Sequence, residues 1–337
     1  MPGLNAGRIG AGSYTTIPSP RDPWALYDPA MTALFLQIAL VAGASAYISW
    51  AAREIAHGAA VWALVAAAPI VYFAPAIVLV AVWCALTWIW RTPRPPEARI
   101  GPMATVRLFL AEVWTLAASW PLMALHDLLM RDPPAMQSTR PVLLVHGVLV
   151  NDGVWLFSRR GLERRGIAPI YAMSYGPPFS DIEYFAEQLD AKIASICAAT
   201  GAKQVVLVAH SMGGLVARAY LRRFGASRIA KLVTMGTPHH GSVLAWGFPG
   251  RGLEQMRPGN AWLLELNRQE QVPPPVPITS IWSRHDSMVA PQASSQLACA
   301  TNVAVVGIGH NALLIDKGVI ERVAREVADT GGTAPDA

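Results

Sequence analysis

The chain has 337 residues, a formal net charge of +5 and only 15% charged residues, whereas 53% of its residues are hydrophobic. Ordinary soluble domains carry about 25% charged residues, so the deficit predicts a membrane segment. The hydrophobic content excludes general disorder. Three cysteines, Cys84, Cys197 and Cys299, are too few for a disulfide-stapled scaffold. The basic residues are spread over both halves of the chain, so the positive charge does not indicate a nucleic-acid partner.

Two long uncharged runs lie in the N-terminal third of the chain. The first, at residues 31–52, has the length of one membrane-spanning helix, which needs about 20 apolar residues. The second, at residues 57–90, is too long for one upright span and too short for two. Two prolines within it, Pro69 and Pro75, indicate a kink or the start of the spanning part. The alternative is a pair of buried helices in a soluble domain.

We interpret residues 30–92 as a two-helix transmembrane hairpin that follows an N-terminal flexible segment at residues 1–29. Arginines precede the first run and follow the second, and Arg53 alone lies in the connecting turn. The positive-inside rule then predicts a multi-pass membrane protein with both ends of the hairpin, and the C-terminal half, in the cytoplasm. A disulfide between Cys197 and Cys299 would need an oxidising compartment and would contradict this orientation.

Residues 93–139 are predicted to form an amphipathic helix, broken at Pro121, and a linker. This helix would lie along the membrane surface or pack on the domain that follows.

Short β-branched runs alternate with amphipathic helices over residues 140–330, and residues 331–337 are predicted to be a tail. Alternation of this kind predicts an α/β fold with a mostly parallel sheet and helices on both faces. The chemistry is then expected at the carboxyl ends of the strands. The predicted strands are residues 142–145, 170–173, 205–209, 229–235, 278–282 and 303–306, and the predicted helices lie near residues 152–165, 182–199, 212–224 and 317–328.

A candidate nucleophile lies between a predicted strand and a predicted helix, in the run Ala209-His210-Ser211-Met212-Gly213. A nucleophilic serine of this type needs a sharp strand-to-helix turn, with small residues two positions before and after it, because the backbones crowd there. Ala209 and Gly213 occupy those two positions. We therefore predict that Ser211 is the nucleophile; an ordinary serine in a strand-to-helix turn is the alternative.

A nucleophilic serine needs a base and an acid that orients the base, and with this turn the chain order is serine, acid, histidine. Asp286 and His310 each follow a predicted strand in that order. His285 precedes the acid and Asp316 follows the histidine, so both are weaker candidates. The remaining histidines are more typical of structural or site-lining roles: His146, His210, His239, His240, and His57 and His126 in the membrane half.

Two backbone N–H groups are also needed, to stabilise the oxyanion that forms during attack on an ester carbonyl. The residue after the nucleophile, Met212, supplies one. A loop after an early strand should supply the other, and the run His146-Gly147-Val148 fits that place. We therefore predict that Val148 and Met212 form the oxyanion hole.

The segments VLLVHGV, LVAHSMGGLVARAYL, LVTMGTPHHGS, IWSRHDSMVAP and GIGHNALL together resemble the α/β-hydrolase superfamily. Within it they are most similar to small bacterial triacylglycerol lipases and esterases that have an Ala-His-Ser-Met-Gly turn. The resemblance covers roughly residues 140–328 and implies the α/β-hydrolase fold. It implies no cofactor, and no metal, because the acidic positions that bind calcium in some larger relatives are not evident. The site residues it implies are Ser211 as nucleophile, Asp286 as orienting acid, His310 as base, and Val148 and Met212 as oxyanion donors.

The sequence therefore predicts a serine ester hydrolase, anchored in the bacterial inner membrane, with lipid or acyl esters as substrates. A thioesterase or acyltransferase would use the same triad, and a hydrolase domain that serves only as a binding module is a further alternative. Leu149 stands where some relatives have a second glycine, which would narrow the acyl entrance. Residues 242–276 are apolar and aromatic, as in a lid or in a connection packed on the sheet. The oligomeric state is left open.

Overall fold

The computed structural model describes residues 29–134 and 136–329. The predicted flexible segment, up to residue 28, and the predicted tail at residues 331–337 lie outside the described residues. The first two helices of the described part are long: α1 (Pro29–Ala56) and α2 (Val61–Ile89). The run at residues 57–90 therefore contains a single helix of 29 residues with both prolines inside it. At 1.5 Å per residue it is about 44 Å long, and a tilted span accommodates such a length.

Most side chains of α1 and α2 are exposed. In the most apolar window of each helix, 6% of the α1 residues and 11% of the α2 residues are buried within the protein. Large apolar side chains such as Phe35, Trp62 and Trp88 are exposed. Apolar surface left in water costs about 25 cal/mol per Å², so this exposure does not match the alternative of buried helices in a soluble domain. By length and composition, both helices are candidate membrane spans.

The next helix, α3 (Pro102–Ala124), runs without interruption through Pro121, so the predicted break at that residue is wrong. Proline lacks the N–H that would donate to the carbonyl four residues earlier, here that of Ala117. The hydroxyl of Tyr72 on α2 donates to the Ala117 carbonyl oxygen at 2.8 Å instead. Because another helix supplies the missing donor, the proline is tolerated. Helix α3 packs on α1, on α2 and on the domain that follows, and a short helix, α4 (His126–Leu129), comes after it.

Replacing Tyr72 with phenylalanine is expected to lower the free energy of unfolding by about 0.5–1 kcal/mol, since the Ala117 carbonyl loses its donor. The ring contact between Tyr72 and Trp120, with centroids 5.9 Å apart, is retained. Thermal unfolding of both proteins in one detergent measures the change. The matched control is Tyr47→Phe: its hydroxyl donates to the carbonyl of Leu64, which keeps a helical donor. An equal loss in both variants would contradict the role assigned to the Tyr72 hydroxyl.

The C-terminal domain, residues 140–329, is built on a six-stranded sheet. All neighbouring strands are parallel. The second strand in the chain lies at one edge, and the first, third, fourth, fifth and sixth strands follow it in that order. The chain therefore runs from the first strand to its neighbour on one side and then crosses to the third strand on the other. Ligands of parallel sheets bind at the carboxyl ends of the strands beside such a switch point. The strands are β1 (Val142–Val145), β2 (Ile170–Met173), β3 (Val205–His210), β4 (Ile229–Met235), β5 (Ile278–Ser283) and β6 (Thr301–Val305).

Helices cover both faces of the sheet, because successive strand residues point to opposite faces. Leu143 belongs to the core cluster that contains residues from the helices at Ile182–Thr200, Met212–Phe224 and Ala261–Arg268. Its neighbour Leu144 belongs to the cluster that contains residues from the helices at Leu156–Glu163 and Lys317–Ala328. The helix predicted near residues 152–165 begins as a 3-10 turn at Asp152–Trp155. The helices of this domain are α5 (Leu156–Glu163), α6 (Ile182–Thr200), α7 (Met212–Phe224), α8 (Arg251–Gln255), α9 (Ala261–Arg268) and α10 (Lys317–Ala328).

Candidate active site

Ser211 lies in the turn between β3 and α7, with a backbone φ of +55° and ψ of −126°. A non-glycine residue in such a conformation is strained by roughly 1–3 kcal/mol, and the surrounding structure must hold it there. Ser211 N donates to the carbonyl of Met235 on β4 at 2.9 Å. Two glycines allow the backbone to crowd around the turn: a Cβ at Gly147 would lie 2.8 Å from the Ser211 Cβ, and a Cβ at Gly213 would lie 2.4 Å from the carbonyl oxygen of His146. Gly213, one of the two small residues of the motif, thus has a steric reason.

Asp286 follows β5, His310 follows β6, and the structure brings their side chains together. His310 Nδ1 is 2.9 Å from Asp286 Oδ2. The other carboxylate oxygen, Oδ1, accepts hydrogen bonds from the N–H groups of Met288 at 2.8 Å and Val289 at 2.7 Å. Both members of the pair are buried, and His310 lines the same cavity as Ser211.

The histidines around this cavity differ in their protonation. Burial lowers the pKa of His310, but the charge and hydrogen bond of Asp286, together with the charge of Glu112, outweigh burial and raise the pKa above its ordinary value. Burial lowers the pKa of His146 to about 4 and that of His210 well below its ordinary value. His146 and His210 are therefore neutral at pH 7, and His310 is the histidine of this group whose environment favours a proton.

The other candidates from the sequence have partners elsewhere. His285 Nδ1 accepts a hydrogen bond from Gly307 N at 3.2 Å. Asp316 caps α10 by accepting from Val319 N at 2.9 Å. Cys197 and Cys299 are free thiols. The remaining four histidines do not line the cavity of Ser211. His239 contacts Arg218, His240 contacts Asn267, His126 contacts Asp152, and His57 is exposed just after α1.

The two predicted oxyanion residues come from the turn after Ser211 and from the loop after β1. Met212 is the first residue of α7, so its N–H has no acceptor within the helix. Val148 follows β1 and lines the cavity together with Ser211. Leu149, the next residue, has a φ of +58°, a region that favours glycine, and its side chain also lines the cavity.

A cavity of about 210 Å³ lies over Ser211. The segment at residues 242–276 contributes one wall through Leu244 and Phe248, and helices α2 and α3 contribute another through Trp83 and Trp114. The later part of the same segment, helix α9, packs against α7 instead. The first half of the segment therefore lines the cavity, whereas the second half packs on α7.

Sequence reasoning missed one residue at this site, Glu112 on α3. Its side chain is 0% exposed and accepts hydrogen bonds from the loop that carries His310, including one from Ala312 N at 2.7 Å. The available signal was that Glu112 is the only acidic residue between Pro102 and Ala124 in an otherwise apolar helix. Nothing in the local pattern connects it with a loop about 200 residues later.

Comparison with known proteins agrees with this architecture. A family model of the alpha/beta hydrolase fold matches residues 140–271. The crystal structure of Aspergillus fumigatus lipase B superposes with a TM-score of 0.52 at 19% sequence identity, covering 73% of this chain and 65% of that chain. Residues 140–329 have the α/β-hydrolase fold. The fold class predicted from the sequence is confirmed, with a fully parallel sheet.

The α/β-hydrolase domain is similar in sequence to curated bacterial lipases. It is 35% identical over 150 residues to a triacylglycerol lipase of Burkholderia plantarii, a match that covers 40% of this chain and 41% of that protein. It is 36% identical over 113 residues to a triacylglycerol lipase of Pseudarthrobacter phenanthrenivorans, covering 31% of this chain and 35% of that protein. The chain thus matches about two fifths or less of the length of these relatives.

Proposed function

We propose that this protein is a membrane-anchored serine ester hydrolase, of the lipase or esterase type, that cleaves acyl or lipid esters through an acyl-enzyme. The observation that carries the proposal is the strained turn at Ser211, which lines one cavity with a histidine that is paired to a buried aspartate. Similarity of the α/β-hydrolase domain to triacylglycerol lipases supports the same reaction class.

In the proposed reaction, Ser211 Oγ attacks the ester carbonyl carbon while His310 takes the hydroxyl proton. Because His310 Nδ1 is paired with Asp286, the nitrogen left for this proton is Nε2. The backbone N–H groups of Val148 and Met212 stabilise the oxyanion. The imidazolium then protonates the leaving alcohol, which leaves the acyl-enzyme. Water attacks the carbonyl carbon of the acyl-enzyme while His310 takes a proton from it, the bond from that carbon to Ser211 Oγ breaks, and the imidazolium returns the proton to Oγ as the acid leaves.

The walls of the cavity favour a substrate with an apolar acyl chain. Its lining is predominantly apolar and includes Leu244 and Phe248 from the proposed lid and Trp114 from α3. Pockets of this kind gain binding free energy mainly by removing apolar ligand surface from water. Because helices of the membrane region form one wall, an ester with its acyl chain in the bilayer would reach Ser211 without crossing the aqueous phase.

Several features support anchoring of the protein by α1 and α2. The apolar side chains of both helices are exposed along their length, and the Arg91 guanidinium lies 3.9 Å from the centroid of the Trp88 ring at the end of α2, as at a membrane interface. Helix α3 continues this apolar surface with one exposed stripe. Four side chains of the stripe are each more than half exposed: Met103, Val106, Leu110 and Trp114.

We place both ends of this hairpin, and with them the α/β-hydrolase domain, in the cytoplasm on the distribution of arginines. A phosphatase reporter that functions only outside the cytoplasm, fused to the end of the chain, tests the orientation. Reporter activity would contradict it.

Labelling of the membrane-embedded protein with a fluorophosphonate, followed by peptide mass spectrometry, tests the reaction class. We expect the adduct on the peptide that contains Ser211. An adduct at another residue, or no adduct on folded protein, would overturn the proposal. Hydrolysis of p-nitrophenyl esters of increasing acyl length then tests the substrate class, with kcat/KM expected to rise with chain length.

Replacing Phe248 with aspartate is expected to lower kcat/KM for long-chain esters by about 10-fold to 100-fold, because the acyl chain loses about 1–3 kcal/mol of apolar contact. Short esters, which do not reach this wall, should be cleaved within about two-fold of the wild-type rate. Phe248→Leu is the matched control, since it keeps an apolar surface and should retain most of the long-chain activity. Equal effects of Phe248→Asp on long and short esters would contradict a lid that binds the acyl chain.

A further inference from the structure

We propose that Glu112, on helix α3, is a positioning residue of the active site: it holds the loop that carries His310, so that the N-terminal helices control the geometry of the triad. The kinetic part of this inference rests on the proposed function, whereas its structural part does not.

Glu112 is fully buried between α3 and the His310 loop, and its carboxylate accepts four hydrogen bonds. Oε2 accepts from Ser287 Oγ at 2.6 Å, from Asn311 Nδ2 at 3.1 Å and from Asn311 N at 3.2 Å. Oε1 accepts from Ala312 N at 2.7 Å. All four groups donate to the carboxylate, and hydrogen bonds of this kind stabilise the ionised form of a carboxyl group.

These bonds fix the backbone on both sides of His310. On one side, Glu112 accepts the N–H groups of the next two residues, Asn311 and Ala312. On the other side, Ser287 Oγ donates to Glu112 and accepts the N–H of His310 itself at 3.2 Å. Ser287 also directly follows Asp286, so the same carboxylate is linked to the turns that carry both the acid and the base.

Close packing at Gly309 shows how little freedom the loop has. A Cβ at Gly309 would lie 2.3 Å from the Glu112 Cδ, so only glycine allows the loop to approach the carboxylate this closely. A displacement of about 1 Å at a reacting group can cost about 100-fold in rate, and a loop held on both sides of the base avoids this.

The charge of Glu112 acts on His310 as well. Burial raises the pKa of Glu112 above its ordinary value, although the hydrogen bonds to Ser287, Ala312 and Asn311 and the charge of His310 oppose this shift. The groups that face His310 are Asp286, Glu112 and the neutral ring of His210, whose centroid lies 4.6 Å away. Among the described residues outside the His310 loop, Cys84 on α2 is a titratable group that faces Glu112. The ionised form of Glu112, which four donors stabilise, adds a second negative charge that favours the imidazolium formed during the reaction.

The test compares Glu112→Gln with the wild type by steady-state kinetics and by the pKa of His310. Glutamine keeps one accepting oxygen but presents an NH₂ donor in place of the other, where the loop also has a donor. At least one of the four hydrogen bonds to the loop is therefore lost, without loss of side-chain volume. We expect kcat to fall about 10-fold to 100-fold with KM changed less than about three-fold. Because a negative charge is removed, the pKa of His310 falls, and the acid limb of kcat/KM moves to lower pH.

Glu326→Gln is the matched control for loss of a buried carboxylate. Glu326, on α10, accepts a hydrogen bond from Thr279 Oγ1 at 2.7 Å and forms an ion pair with Lys231 at 2.6 Å. None of these three residues lines the cavity over Ser211. This variant is expected to lower thermal stability while leaving the acid limb and the pKa of His310 unchanged. Ser287→Ala, combined with Glu112→Gln, should cost less than the sum of the single changes, since both break the same link to His310.

NMR titration of ¹³Cε1-labelled histidine, with His310→Ala for assignment, measures the pKa without any substrate. An unchanged His310 pKa in Glu112→Gln, with activity lost only in proportion to unfolded protein, would overturn the inference. If the wild type cleaves no ester and takes no fluorophosphonate, but the His310 pKa falls in the variant, the positioning by Glu112 stands and the proposed function fails.

Discussion

Hydrolysis of a carboxylic ester is expected to fall by about a million-fold in kcat when Ser211 is replaced with alanine. The variant loses the atom that would form the acyl-enzyme, while the cavity, the Asp286–His310 pair and the proposed oxyanion donors remain. Alanine has the same steric demand as serine at a φ of +55°, so we expect unchanged folding. Kinetics with a short p-nitrophenyl ester, and labelling with a fluorophosphonate, measure the effect on the same preparation.

Ser195→Ala is the control for Ser211→Ala. Ser195 Oγ donates to the carbonyl of Lys192 within its own helix, at the surface of the domain, and its loss should leave labelling and turnover unchanged. If Ser211→Ala kept a hundredth or more of the wild-type kcat, or was still labelled, another nucleophile would have to be sought.

Asp286→Asn is expected to lower kcat by about 10,000-fold at neutral pH, with a much smaller change in KM. Asparagine keeps the Oδ1 that accepts from Met288 N and Val289 N, so the turn should hold its shape. The amide, however, presents a donor or a neutral acceptor to His310 Nδ1, so the ring is no longer held in the tautomer that leaves Nε2 unprotonated. The His310 pKa is expected to fall because the charge of Asp286 raises it. A pH profile of kcat/KM measures both changes.

Asp316→Asn separates this role from that of an ordinary buried or capping acid. Asp316, the rival acid after the histidine, accepts from Val319 N as the cap of α10, and asparagine is about as good a cap as aspartate. We expect nearly wild-type kinetics from this variant. Comparable losses in Asp286→Asn and Asp316→Asn would contradict the assignment of Asp286 as the orienting acid.

The parts of this protein that could be predicted from sequence are those whose signal is local. The serine turn needs small residues within two positions of Ser211, so five consecutive residues carry its pattern. Strands and helices of the α/β-hydrolase domain follow from periodicity over short windows. Asp286 and His310 could be placed because both follow strands of one parallel sheet, whose carboxyl ends lie on the same edge.

Two features of the structure depend on groups that are distant in the chain, and the sequence did not predict either feature. Helix α3 continues through Pro121 because Tyr72, 45 residues from the carbonyl that it serves, supplies the missing donor. Glu112 was overlooked because its partners lie 175 to 200 residues away. An isolated acid in an apolar helix indicates a buried polar contact, but the pattern does not name the partner.

The sequence by itself determined the fold class, the serine turn, the order of acid and histidine, and the apolar character of the first two helices. Each of these depends on steric or hydropathic rules that act over a few turns of chain. The tertiary structure alone decided that α3 packs between the candidate membrane spans and the His310 loop, and that Trp114 and Phe248 line one cavity over Ser211. Burial of Glu112 is stable only where four donors converge on it, and such convergence exists only once the two halves of the chain have packed together.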